Sequence, residues 1–148
     1  MDKLGANFFD SIESINQKLS DKTVVMQLPN GAAGDFAGIV DLIKMKYYTF
    51  SGQMGTTVTE HEVPAEMLEK AKEYRERIIE TASSFDDDLA MAYLDGAEVT
   101  EAMIKKAIRI GVTTNKLYPI FCGSALGNKG VQLVLDAVID YLPSPLDR

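Results

Sequence analysis

The stretch that most constrains this chain lies near its C-terminal end. A short apolar run, Leu117 to Phe121, leads into Cys122-Gly123-Ser124-Ala125-Leu126-Gly127-Asn128-Lys129-Gly130, and a helix-patterned segment leads out. Val131, Val134, Leu135, Val138, Ile139 and Leu142 recur at the spacing of one helical side, and Pro143 and Pro145 end the pattern. A strand, a loop of small residues and an amphipathic helix need a sheet for the strand and a layer for the helix. α/β proteins use that order to present backbone N–H groups to a ligand. Ser124 and Ala125 add little bulk, so the backbone can approach a flat ligand and donate to a carbonyl on it.

The rest of the chain is patterned as helix, strands, helices. Residues 6–19 place Phe8, Phe9, Ile12, Ile15 and Leu19 at helical spacing. Val24 to Leu28 reads as one buried strand, closed by the turn residues Pro29, Asn30 and Gly31. Phe36 to Ile43 and Tyr47 to Phe50 are rich in β-branched and aromatic residues and read as further strands, with Ser51 to Gly55 as a hairpin turn and Thr56 to Thr59 returning. Pro64 opens a long helix to about Ala82. Ser84, three residues before Asp87, reads as the cap of a second helix, and Thr100 as the cap of a third that ends at Gly111. The expected fold class is α+β: a small, mainly antiparallel sheet with packed helices, flanked by helix and strand–helix pieces of another unit.

Composition removes several function classes. The longest apolar run is far short of a membrane span, and no basic-then-apolar leader opens the sequence. Cys122 is the only cysteine, which excludes an internal disulfide and fits a reducing, cytoplasmic setting. It reads as a small buried residue at a strand end, with no base beside it in sequence to make it a nucleophile. His61 stands alone among glutamates, so no metal site is expected. The net charge of −7 argues against a nucleic-acid site, though not against a basic protein surface.

The long helix has two faces. Met67, Leu68, Ala71, Tyr74, Ile78, Ile79 and Ala82 share one side and should face the core. Glu66, Glu69, Glu73, Glu76 and Glu80 share roughly the opposite side. Such a stripe is either a solvated face or a docking stripe for a basic partner. Like charges at these spacings each cost about 0.2–0.5 kcal/mol, which a function would offset.

Two segments taken together carry a resemblance. "MDKLGANFF" and "CGSALGNKGVQLVLDAVIDYLPSPLD" resemble the elongation factor G family of translational GTPases, and "FAGIVDLIKMK" and "VPAEMLEKAKEYRERIIE" resemble that family's inserted subdomain. The similarity runs over essentially the whole chain. It implies residues 1–20 as a piece of the GTPase domain, 21–112 as the insert, and 113–148 as the last strand, loop and helix of the GTPase domain. It also implies that Met1-Asp2 are the last two positions of the guanine-reading Asn-Lys-x-Asp motif. Asp2 would then pair with the guanine N1 and N2 hydrogens, Ser124 and Ala125 would read O6 through the backbone, and Leu126 would border them.

The same resemblance sets limits. No G-x-x-x-x-G-K-[ST] occurs, so nothing in this chain cradles phosphates or offers a hydroxyl to Mg²⁺. Asp35-Phe36-Ala37-Gly38 spells D-x-x-G but on the wrong side of the guanine motif, and is expected to be accidental. The chain alone is expected not to hydrolyse GTP, and to bind GTP or GDP no more tightly than millimolar, about 4 kcal/mol. The implied parent uses GTP with Mg²⁺ to drive tRNA and mRNA through the ribosome. Its insert would meet the large-subunit stalk protein, with Glu69, Glu73, Glu76 and Glu80 as candidate contacts. The flanking helices, made for a larger sheet, are expected to leave apolar faces open to self-association. The alternative is a stand-alone acidic interaction module with no nucleotide role; sequence upstream of Met1 would discriminate the two.

Overall fold

A computed structural model describes residues 1–147 of the chain. Helix α1 (Phe8–Lys18) starts where the Asn7 side chain accepts from the N–H groups of Phe9 (3.1 Å) and Asp10 (3.4 Å). The apolar run after it is not one strand. It forms β1 (Thr23–Val25) and β2 (Gln27–Asn30), which belong to different sheets. Met26, only 1% exposed, serves both: its N–H donates to Ile120 O (3.0 Å) and its carbonyl accepts from Leu42 N (3.1 Å).

Strands β3 (Gly38–Asp41), β4 (Lys46–Ser51) and β5 (Thr57–Glu62) join β2 in an antiparallel sheet of order β2-β3-β4-β5. The expected strand 36–43 is shorter because the Asp41 carboxylate accepts from the N–H groups of Ile43 (2.8 Å) and Lys44 (3.0 Å), which bends the chain into a turn. β5 is exposed along its whole length and carries Thr57, Thr59, Glu60, His61 and Glu62, a polar edge that resists pairing with other chains. His61 is a surface residue hydrogen-bonded to Thr49 (2.9 Å).

Three helices follow and pack on one another: α2 (Ala65–Ser83), α3 (Asp87–Leu94) and α4 (Glu101–Thr113). α2 buries Ala71, Ile78, Ile79 and Ala82. The cap of α3 is Asp86, whose carboxylate accepts from Leu89 N (3.1 Å); Ser84 instead closes α2. Thr100 caps α4 as expected, but Gly111 lies inside that helix and the reversal comes at Asn115, with φ of 57°. Leu28, Ile39, Leu42, Ile78, Leu89, Ile104 and Ile108 are at most 1% exposed and form the core between sheet and helices. Each contributes about 1.5–3 kcal/mol by leaving water. Arg75 locks α2 to the sheet by donating to the carbonyls of Leu42 (2.8 Å) and Ile43.

The chain then returns as β6 (Tyr118–Ile120), which pairs parallel to β1 with Val24 opposite Pro119. The last helix, α5 (Val131–Tyr141), buries Ala137 and Tyr141, not its apolar stripe. Leu135 and Ile139 are 59% and 77% exposed, so the periodic face points away from the molecule. Arg109 of α4 holds the end of α5 by donating to the carbonyls of Asp140 (3.0 Å) and Leu142 (3.1 Å). Among the described residues no helix is long and apolar enough to cross a membrane.

Candidate functional site

The loop after β6 folds on itself before α5 begins. Ser124 and Lys129 exchange backbone hydrogen bonds (2.8 and 2.9 Å), and Asn128 N donates to Ala125 O (3.2 Å). This tight turn uses a left-handed Asn128 (φ 51°) and a left-handed Gly130 (φ 84°). At Gly130 a side chain would also meet Ile39 Cδ1 at 2.5 Å, so only glycine suits the entry to α5. The Ser124 N–H is consumed by the turn. Among the described residues, the N–H groups of Ala125 and Leu126 have no intramolecular acceptor, and both residues are exposed, Leu126 at 76%. The free donors thus start one residue later than the sequence reading placed them.

The other end of the chain comes to this loop. The Met1 nitrogen donates to Gly123 O (2.6 Å), and Met1 O accepts from Ala33 N (2.9 Å). Asp2 therefore stands beside Ser124. The Ser124 hydroxyl accepts from Gly127 N (3.1 Å) and holds the Asp2 carboxyl below its usual range. Asp2 is ionised at neutral pH, and its side chain is about a third exposed. Asp2 meets Ser124, and Ala125 and Leu126 follow it in the loop, so a carboxylate and free backbone donors belong to one end of the molecule. Such a set can engage a planar heterocycle that offers N–H donors and a carbonyl.

Two supports of the loop have no clear mark in the sequence. Lys129 reaches back to donate to Phe36 O (3.1 Å), with its ammonium 5.5 Å from the Phe36 ring. The turn between β4 and β5 packs on the loop: a Cβ at Gly55 would lie 2.6 Å from Gly127 O. Gln132 of α5 donates to Gly55 O (3.4 Å), while its Oε1 is buried without a partner. The only signal for this second support is an apparently ordinary turn glycine. The D-x-x-G stretch has a structural explanation. Asp35 is exposed, and Gly38 is needed because Tyr48 O would sit 2.4 Å from a Cβ there.

Cys122 is buried between strand and loop, its N–H donating to the Gln27 side chain (3.3 Å), and burial pushes its thiol up to about 12. Glu69, Glu73, Glu76 and Glu80 all lie on the exposed side of α2. They are not equivalent. Glu69 pairs with Lys72 (3.6 Å) and Glu73 with Arg77 (2.5 Å), whereas Glu76 and Glu80 make no ion pair among the described residues. The stripe is far from the Asp2–Ser124 cluster in sequence, and the two share no ion pair or hydrogen bond. Among the described residues no three His, Cys, Asp or Glu side chains gather as a metal-binding group.

No family model matches the chain. Among solved structures, the chain is similar to the crystal structure of ttk003000868 from Thermus thermophilus, with a TM-score of 0.83 and 28% identity. The match covers 97% of this chain and 21% of that one, so the chain spans about a fifth of the length of the structure it resembles.

Proposed function

We propose that this chain is the guanine-reading side of a translational GTPase of the elongation factor G type, with that family's insert carried between its strands. The observation that supports this most is the meeting of Asp2 with Ser124, the residue that precedes the two unpartnered amides of Ala125 and Leu126. A carboxylate takes both guanine N–H donors and rejects adenine, which offers none in that arrangement. The amides of Ala125 and Leu126 supply the donor for O6. Residues 1–20 and 113–148 form the base-binding part, and 21–112 the insert. Phosphates and Mg²⁺ would be held by residues outside these, so GTP hydrolysis and ribosomal translocation belong to the larger protein.

The test is an NMR titration of the labelled chain with GMP and AMP. GMP shifts the Ala125 and Leu126 amides with an affinity of about a millimolar or weaker, AMP does not, and Asp2→Asn removes the preference. Micromolar binding of GDP to this chain, or equal response to GMP and AMP, would refute the reading.

The insert carries the second half of the proposal: contact with the large-subunit stalk protein on the exposed side of α2. Glu76 and Glu80 are the best placed, because Glu69 and Glu73 are engaged with their own helix. Glu76→Lys with Glu80→Lys should weaken stalk-protein binding more than the same change at Glu69 and Glu73; the reverse order sinks this assignment.

A further inference from the structure

β1 has an open side. In the parallel pair Tyr118 N donates to Lys22 O (2.8 Å) and Met26 N to Ile120 O (3.0 Å). Strand periodicity then turns the N–H and C=O groups of Thr23 and Val25 away from β6. Among the described residues these backbone groups make no hydrogen bond, although both residues are half-buried. A row of unpaired main-chain donors and acceptors on an edge strand is a template for pairing with another chain. On β6 the middle residue is Pro119, which has no N–H to offer, so of the two strands only β1 presents donors along its far edge.

The unpaired groups line a groove of about 570 Å³ between α1 and α2. Its apolar walls are Phe9 and Ile12 from α1 and Tyr74 and Ile78 from α2. Glu13 and Glu80 add negative charge to the lining, both exposed. Arg77 of the lining is already occupied by Glu73 (2.5 Å) and lies 5.0 Å from the Tyr74 ring, and the Lys70 ammonium rests on the Phe9 ring (3.8 Å), so neither cation pairs with Glu13 or Glu80. A strand edge with alternate free N–H and C=O groups, apolar walls and uncompensated carboxylates has the chemistry of a β-augmentation site.

We propose that this edge docks an extended, basic segment of a partner protein, which adds a strand to β1. The main chain of the segment pairs with Thr23 and Val25, its apolar side chains rest on the α1 and α2 walls, and its lysines or arginines face Glu13 and Glu80. The site is separate from the Asp2–Ser124 cluster and does not depend on the nucleotide reading; it shares only Glu80 with the surface proposed for the stalk protein, and the Thr23 and Val25 amides and the N-methylated peptide read this edge alone.

The probe is the peptide acetyl-Lys-Val-Thr-Val-Lys-amide, titrated into the ¹⁵N-labelled chain. The Thr23 and Val25 amides shift, and their exchange with solvent slows about tenfold on saturation. Val25→Pro removes a donor that faces the groove and leaves the bonds to β6 intact, and it weakens binding about tenfold. Glu13→Gln with Glu80→Gln weakens it a few-fold at low salt and hardly at all near 1 M, where the Debye length is about 3 Å. A peptide N-methylated at its central residue, tested on the unaltered chain, binds about tenfold more weakly, which decides the matter even if Val25→Pro does not fold. Three results would overturn the proposal: no response of Thr23 and Val25 to millimolar peptide, equal binding of the N-methylated peptide, or concentration-dependent shifts of the same amides without peptide, which would assign the edge to a second copy of the chain.

Discussion

Replacing Gly55 by alanine should damage the candidate site from a distance. Gly55 sits in the β4–β5 turn at φ 62°, and a Cβ there would lie 2.6 Å from Gly127 O and 3.1 Å from Asn128 O. Gly96, at φ 66° just after α3, is the control: a Cβ there meets nothing within 4 Å. Both substitutions place a side chain at positive φ, at about 1–2 kcal/mol, offset by about 0.5–1 kcal/mol through a less flexible unfolded chain. Gly96→Ala should therefore cost about 1 kcal/mol or less. Gly55→Ala adds an overpacking term of about 1–3 kcal/mol, because two backbone carbonyls must move. The expected total is about 2–3 kcal/mol. Urea unfolding measures both variants, and amide spectra locate the disturbance. In Gly55→Ala the shifts should extend to residues 124–130; in Gly96→Ala they should stay within a few residues of position 96. Equal destabilisation of the two, or a Gly55→Ala spectrum altered only in the turn, would refute the idea that the turn buttresses the loop.

Three further outcomes are expected. Asp86→Ala should cost about 1 kcal/mol by uncapping α3, whereas Asp86→Asn keeps the cap. Lys106 holds the Asp86 carboxyl below its usual range, so its contribution is present above a pH of about 4 and is lost as pH falls through the lower folded value; thermal melts of Asp86→Asn should be flatter over that acid window than those of the parent. Cys122 should resist thiol reagents at pH 8 until urea unfolds the chain, and rapid labelling of the native protein would contradict its burial. Leu135→Lys with Ile139→Lys should change stability by less than about 0.5 kcal/mol per site and abolish any self-association; sedimentation of both forms as clean monomers would show that the α5 stripe does not associate copies of this chain.

Local chemistry was readable where local chemistry decides. The Asn-, Pro- and Thr-led starts of α1, α2 and α4 follow from side chains that satisfy or spare the first N–H groups. The α+β class follows from the change of period along the chain. What failed to read was decided by distant partners. Val24 to Leu28 is uniformly apolar but for Gln27, so nothing local marks Met26 as the point where one sheet ends; the division is set by Ile120 and Leu42. The α5 stripe has a helical period but no label saying which side faces the core, and Arg109 and Tyr141 select the other one. Ser84 has the residue type and spacing of a cap, but the buried Leu89 N–H is met by the Asp86 carboxylate instead, a choice that depends on how α3 packs against α2 and α4. At the candidate site the four residues were all named from sequence, but Ser124's own N–H is spent inside the turn, and a hydrogen-bond count of that kind needs coordinates.

The pairing of β1 with β6 also orders events in time. Val24 and Pro119 are neighbours in the sheet, yet everything from β2 to α4 lies between them in the chain. The β2–β5 meander closes through short turns, and its contacts are available early, whereas the parallel pair must wait for the whole intervening unit to condense. A ribosome making this chain releases β1 long before β6 exists. Until then the apolar strand is bare, and the Met1-to-Gly123 contact that brings Asp2 to its place is the widest loop of all. Pulse-labelled exchange should find the meander amides protected first and those of residues 23–25 and 124–130 last. The part of the molecule proposed to read a base is thus the part that assembles at the end.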